Sequence, residues 1–179
     1  MQCLIDLQEI GFQVGTGVMI GLPFQTIEDL ANDLLFFKEL DIDMVGMGPY
    51  ISHSNTPFAH LTLKYNEEQR LSLSLKMVAI ARLLLKNVNI AATTALQALH
   101  PRGRELALKA GANILMPIIT PQRYREHYLI YEGKPCTNES AIQCQGCLAK
   151  RLQWADREVG LHLWGDAPHY FSRIERERL

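Results

Sequence analysis

Gly15-Thr16-Gly17-Val18-Met19-Ile20-Gly21-Leu22-Pro23-Phe24-Gln25-Thr26 contains a strand, a loop and a helix cap in immediate succession. β-Formers and glycines run from Gln13 to Ile20 and stop at Gly21-Leu22-Pro23, which reads as a buried strand. Thr26 then caps a helix, with Asp29 three positions on as the acid of a capping box. That helix runs to about Leu40 on Ile27, Leu30, Leu34, Leu35 and Phe37. The glycine run is not a nucleotide fingerprint. Gly15 and Gly17 are followed by Ile20 where G-x-G-x-x-G needs a third glycine, and they lie inside a strand rather than at a strand-to-helix turn. Glycines inside a strand admit the close approach of a ligand or of another backbone.

The strand-helix unit recurs along the chain. Upstream, Met1 to Ile10 reads as a helix ended by Gly11, with Cys3 on its apolar face as a small core residue. Downstream, Asp43 to Ile51 is a second strand ending near Pro49, and a polar loop from Ser52 to about Lys64 leads into a helix over about Asn66 to Leu85. Ile90 to Leu96 reads as a third strand, Arg102 to Ala110 as a short helix, and Asn113 to Met116 as a fourth strand stopped by Pro117. Strands alternating with helices imply a parallel sheet, and apolar strands with little alternation imply that both faces are covered.

Four such units make the C-terminal half of a (β/α)8 barrel, and unusual residues at the strand ends favour this over a small doubly wound sheet. They are Gly21-Leu22-Pro23, Pro49-Tyr50, Thr93-Thr94 and Met116-Pro117, at the ends where barrels build active sites. The fold expected is α/β: a half-barrel over residues 1–119, then a cysteine-containing helical extension over 120–179. A half-barrel leaves two strand edges open, and its inner face is expected to carry Val18, Ile20, Val45 and Ile114. Within the extension, Pro121 to Tyr131 is short and aromatic and about Ile142 to Val159 is helical. The tail from Arg173 to Arg178 reads as a solvated helix end.

Composition narrows the function. A hydrophobic fraction of 47% and a charged fraction of 21% are ordinary for a globular protein. Eighteen basic against 19 acidic residues give a net charge of −1, which argues against a broad nucleic-acid or membrane-surface patch. No apolar run approaches the roughly 20 residues that span a bilayer. The first ten residues lack the basic start and continuous apolar stretch of a signal peptide, so the expected setting is the cytoplasm.

In a reducing compartment a cysteine cluster suggests metal more than disulfides. Cys136, Cys144 and Cys147 are spaced C-x7-C-x2-C, and Gly146 permits a tight backbone inside the C-x2-C pair. A fourth ligand is open: His127 or His162, a non-protein ligand, or a residue outside this chain. Incidental free thiols are the alternative. Thr93 and Thr94 read either as β-branched strand filler or as two hydroxyls holding an anionic ligand. Tyr124, Tyr128 and Tyr131, with His127, either pack on the barrel or cap a substrate cavity. Met44, Met47 and Met116 read as core fillers or cofactor contacts. His53 and His60 lie in a polar loop and read as solvated.

Taken together these segments resemble one family. Gly15 to Thr26, Asp43 to Ile51, Ala92-Thr93-Thr94-Ala95 and Gly111 to Pro117 are similar, in order, to the HydE family of radical S-adenosylmethionine (SAM) maturases of iron-only (FeFe) hydrogenase. The resemblance runs from about Gly11 to Gly165, and the Thr-Thr and Cys features favour this family over the related biotin synthases. It implies a (β/α)8 barrel, reductive cleavage of SAM at a 4Fe–4S cluster, and a role in assembling a dithiolate-bridged di-iron centre. It also implies a small-molecule substrate, other hydrogenase maturation proteins as partners, and an N-terminal half-barrel to complete the fold. Met44, Thr93, Thr94, Tyr128 and Tyr131 would face the substrate cavity. Met116 would lie near SAM, and Cys136, Cys144 and Cys147 would hold an accessory 2Fe–2S cluster. One departure matters: no cysteine triplet has the C-x3-C-x2-C spacing that holds the radical-SAM cluster. The expectation is therefore a fragment of an enzyme, inactive alone. The alternative is a non-enzymatic iron–sulfur or zinc module.

Overall fold

A computed structural model describes residues 1–128, 130–135 and 141–177, with side chains at all of these except 126, 141–145 and 177. Helix α1 (Gln2–Glu9) precedes β1 (Gly15–Ile20), α2 (Ile27–Glu39), β2 (Met44–Pro49), α3 (Glu67–Leu85) and β3 (Asn89–Ala92). Two short helices follow, α4 (Thr94–Leu99) and α5 (Gly103–Ala110), then a 3-10 turn at Gln122–Tyr128, α6 (Ala141–Trp154) and α7 (Pro168–Glu177). The starts of the two long helices are closed by reciprocal caps, Thr26 with Asp29 and Asn66 with Gln69.

The sheet is parallel in the order β1-β2-β3, with Gly17 opposite Gly46 and Gly46 opposite Ala91. The fourth strand position is occupied, but only by a single parallel bridge between Ala91 and Ile114. The reason is local. The Asn113 side chain accepts from the Ile90 N–H at 2.8 Å in place of a backbone partner, and Pro117 follows three residues after the bridge. The third strand is shorter than the expected Ile90 to Leu96. It stops at Ala92, and Thr93 turns the chain into α4 from an extended conformation at the N-cap position.

Helices cover one face of this sheet. Leu30, Leu34 and Phe37 of α2, Met77, Val78 and Ala81 of α3, and Ala107 and Leu108 of α5 pack with Ile20, Val45, Met47, Ile90 and Ala92 in one buried core. Each of the leucine, isoleucine, valine, methionine and phenylalanine side chains contributes about 1.5–3 kcal/mol by leaving water. One expectation is corrected here. Ile20 and Val45 are fully buried on this outer, helix-covered face, and Val18 packs against the same core, so they do not form the inner face. The inner face is uncovered, as a half-barrel leaves it: Gly15, Gly17 and Met19 of β1 are exposed, and Met44, Gly46 and Gly48 of β2 are half-buried. By register Ile114 does share that side with Ala91 and Gly46.

The N-terminal ends of the strands are closed by the C-terminal arm. Arg173 of α7 is buried against Asp43, 2.7 Å from its Oδ2, and also donates to the Phe12 carbonyl at 3.0 Å. The same Asp43 oxygen accepts the Val14 N–H at 2.9 Å. The Asn89 amide donates to the Gly165 carbonyl at 2.7 Å, and Gln13 bonds Asp166 and the Ala167 N–H. The arm thus passes beneath the sheet from β3 to β1. Of the tail expected to be solvated, Arg173 instead turns inward to the ion pair, Glu175 and Arg176 are exposed, and Arg178 lies outside the described residues. Cys3, expected in a core, is exposed on α1. Among the described residues no helix is long and apolar enough to cross a membrane.

Candidate active-site cleft at the strand ends

The uncovered face of the sheet and the loops beyond its C-terminal ends enclose an open cleft of about 1230 Å3. Its floor is Gly15, Gly17, Gly46 and Gly48, and its size follows from that choice: no side chain rises from these positions. Gly48 also makes room for a neighbour. A Cβ there would stand 2.6 Å from Thr93 Oγ1, so the threonine hydroxyl occupies the space a side chain would need. Thr93 Oγ1 donates to the Met47 carbonyl at 3.1 Å, tying the end of β3 to β2. Thr94, the first residue of α4, points its hydroxyl to Tyr131, with 2.8 Å between Oγ1 and Oη.

The rim is held by a second close fit. Gly21 has φ +86°, and a Cβ on it would meet Arg70 Cγ at 2.7 Å. Arg70 lies buried beneath the loop and donates through Nη1 to the Tyr50 carbonyl, linking the ends of β1 and β2. Burial lowers the Arg70 pKa from its ordinary value. The Gln25 side chain accepts from the Gly21 N–H at 2.6 Å and donates to the Met19 carbonyl at 3.0 Å. Neither Arg70 nor Gln25 has a local sequence signal, since each reads as an ordinary polar residue near a helix start.

Of the residues singled out in the sequence, Met44, Thr93, Thr94, Met116 and Tyr131 line the cleft together. Tyr128 does not reach it. It lines an adjacent recess of about 200 Å3 with Pro117, Ile118 and Lys134, and its carbonyl accepts from Lys134 Nζ. Met47 is core. His53 lines the cleft although its loop reads as solvent-facing, as do Lys134, Tyr50 and Phe58. Among the described residues the walls hold hydroxyls, an imidazole and an ammonium but no Asp or Glu, a lining that favours a neutral or anionic small molecule.

The cysteine motif is only partly visible. Cys136 lies outside the described residues, and the side chain of Cys144 is not described. Positions 144 and 147 both fall within α6, so the pair sits on a regular helix rather than in a tight turn, and Gly146 is an ordinary helical residue. Cys147 is half-buried with a free thiol, and Arg151 Nε stands 3.4 Å from its sulfur. Arg151 is itself paired with buried Glu105 of α5 at 2.7 Å. Among the described residues no group of three His, Cys, Asp or Glu side chains is placed to hold a metal.

Over 174 residues the chain is 44% identical to the [FeFe] hydrogenase maturase subunit HydE of Thermotoga maritima, a match covering 97% of this chain and 48% of that protein. In sequence, then, the chain is HydE-like. Biotin synthase of Crocosphaera subtropica is 27% identical over 139 residues, covering 76% of this chain and 32% of that protein. The solved structure of methylornithine synthase (PylB) superposes with a TM-score of 0.62 at 21% identity, over 93% of this chain and 44% of that one. No family model matches the chain. The HydE-like chain spans about half the length of these relatives or less, and the PylB likeness shows its fold: part of a (β/α)8 barrel.

Proposed function

We propose that this chain supplies the substrate-side half of a HydE-type radical-SAM barrel that takes part in maturation of FeFe hydrogenase. The observation that carries the reading is the glycine-floored cleft at the C-terminal strand ends, holding the Thr94–Tyr131 pair with Thr93, Met44 and Met116 around it. In barrels that end of the strands is where chemistry is done. Thr93 and Thr94 offer hydroxyls to a small substrate, Met44 and the glycines shape its apolar side, and Met116, half exposed at the rim, meets SAM. Tyr128 lines the adjacent recess, which shares Pro117, Ile118 and Lys134 with the cleft. The 4Fe–4S cluster that cleaves SAM does not fit this chain, which has no C-x3-C-x2-C motif. Its ligands come from an N-terminal half-barrel.

Cys136, Cys144 and Cys147 hold an accessory 2Fe–2S cluster in this reading. The support is the donor chemistry: two positions one helical turn apart, and a Cys147 sulfur already facing a cationic hydrogen-bond donor. Other hydrogenase maturation proteins are the partners, and the setting is the cytoplasm.

A chimera tests the function. The N-terminal half of Thermotoga maritima HydE, joined to this chain and loaded with its clusters, is expected to convert SAM to 5′-deoxyadenosine under reduction. The 179-residue chain alone is expected to yield none. A chimera that shows the 4Fe–4S spectrum yet forms no 5′-deoxyadenosine, or turnover by this chain alone, overturns the reading.

A further inference from the structure

Among the described residues His53 is the one imidazole in the wall of the cleft, and its hydrogen bonds fix which of its nitrogens carries the proton. The Asn55 backbone N–H donates to His53 Nδ1 at 3.1 Å. A backbone N–H can only donate, so Nδ1 is the acceptor and the proton of the neutral ring sits on Nε2. The backbone of the same residue is pinned as well. Its carbonyl accepts the Thr56 N–H at 3.1 Å and the Thr56 hydroxyl at 2.8 Å. Three local hydrogen bonds therefore hold this histidine three residues beyond Tyr50, at the end of β2 where the cleft opens. No described side chain or backbone group takes up Nε2.

We infer that His53 is a ligand-binding residue of the cleft, presenting Nε2–H as a fixed hydrogen-bond donor to the carboxylate of a small organic acid. The inference rests on the reading of the cleft as a substrate site. Three features favour a carboxylate. His53 Nε2 and the Lys134 ammonium, which spends one of its protons on the Tyr128 carbonyl, are donors beside the Thr94–Tyr131 hydroxyl pair, and among the described residues no carboxylate in the lining competes for them. Apart from Thr16 and from Thr56 and Thr93, whose hydroxyls donate to the His53 and Met47 carbonyls, the rest of the lining is glycine, methionine, proline and aliphatic or aromatic surface, which suits the organic remainder of such a molecule. A ring whose other nitrogen is already satisfied loses no alternative bond when the ligand binds, so the donor is pre-organised.

The test uses the 179-residue chain labelled with 15N-histidine and 13C-methyl threonine, with butyrate and its neutral isostere butyramide as probes. Long-range 1H–15N spectra of the free protein are expected to show His53 as the Nε2–H tautomer. Butyrate is expected to shift both the His53 ring signals and the Thr94 methyl, and butyramide to bind more weakly. In His53→Leu butyrate binding is expected to fall about tenfold, as loss of a hydrogen bond to a charged group implies. His53→Gln, whose amide nitrogen can replace Nε2, is expected to restore most of it. An Nδ1–H tautomer overturns the inference. So does butyrate that shifts Thr94 while leaving His53 unmoved, or that binds His53→Leu as well as the parent; in these cases the cleft reading survives. Butyrate that shifts neither residue removes the carboxylate site and the substrate reading of the cleft together.

Discussion

The two ends of the same three strands are built in opposite ways. At the N-terminal end a buried ion pair, Asp43 with Arg173, and side-chain bonds from Gln13 and Asn89 lock the C-terminal arm across the sheet. At the C-terminal end the face is floored with glycine and the polar groups stand around an open cleft. At one end the polar groups are buried in contacts between the sheet and the arm; at the other, internal bonds such as Thr93 to Met47 and Thr94 to Tyr131 line a face that stays open. The difference is the division between stability and function that barrel enzymes show from bottom to top.

The sharpest way to break the comparison is at the ion pair. Arg173→Ala leaves the Asp43 carboxylate buried without its cation, and is expected to cost about 3–5 kcal/mol of unfolding free energy. Replacing both partners with apolar residues, Asp43→Leu with Arg173→Met, is expected to cost less than the single change, because no charge is then stranded. Denaturant unfolding of the three variants checks both statements. A single variant within about 1 kcal/mol of the parent would mean that the arm does not hold the bottom of the sheet.

A smaller effect is expected at the floor of the cleft. Gly48→Ala places a methyl group where Thr93 Oγ1 now stands, 2.6 Å away, so the threonine must move and release the Met47 carbonyl. The expected loss is about 1–3 kcal/mol, the range for overpacking a tight site. Because Thr93 precedes Thr94, the same change is expected to weaken butyrate binding, whereas Arg173→Ala, at the far end, is expected to leave binding intact in the fraction that stays folded. Titration of the Thr94 methyl signal in both variants separates the two ends.

How much of this was legible follows from which signals are local. The capping box of Thr26 and Asp29, the helix after Asn66 and the alternation of the first three strands with the helices between them are written in neighbouring residues, and the structure forms them as expected, whereas α4 is an added helix and the fourth strand is reduced to one bridge. The inner and outer faces were misassigned because the alternation in β1 and β2 is one of volume rather than polarity. Gly15 and Gly17 alternate with Thr16 and Val18, and Gly46 and Gly48 with Val45 and Met47, while glycine counts as nearly neutral in hydropathy. Thr93 and Thr94 drew the third strand too long because β-branched residues favour strands, whereas the fold places them at a helix start. Met44, Thr93, Thr94, Met116 and Tyr131 meet in one cleft, and they were recognisable through a family resemblance rather than through spacing. Asp43 and Arg173 lie 130 positions apart, and nothing near either residue names the other.

Within the cleft wall the Thr94–Tyr131 bond is expected to matter less for folding than for binding. Thr94→Val and Tyr131→Phe each remove one hydroxyl from a half-buried pair, and each is expected to cost about 0.5–1.5 kcal/mol. The double variant is expected to cost less than the sum of the two, since each single change already breaks the same Thr94–Tyr131 bond. Strict additivity in the cycle would show that the two hydroxyls do not act on each other.

The smallest effect belongs to Asp29, at the same end of the barrel but wholly in solvent. The Thr26 backbone N–H, and then its hydroxyl, donate to this carboxylate and hold its pKa below the ordinary value of 3.8. A carboxyl whose folded pKa is depressed contributes stability that is fully present above its unfolded pKa and is lost as pH falls through the folded one. The gap in denaturant midpoint between the parent and Asp29→Asn is therefore expected to be constant near neutral pH, to narrow once pH drops below 3.8, and to close at still lower pH. Asp33, whose pKa is raised by burial and then by the Asp29 charge, titrates differently in the two proteins, while carboxyls remote from position 29 titrate alike and cancel from the difference. A gap that stays unchanged under acid would show that the cap works through shape alone. A gap as large as that of Arg173→Ala would erase the contrast between the two ends, because an exposed carboxylate at the cleft end would then rival a buried pair at the other.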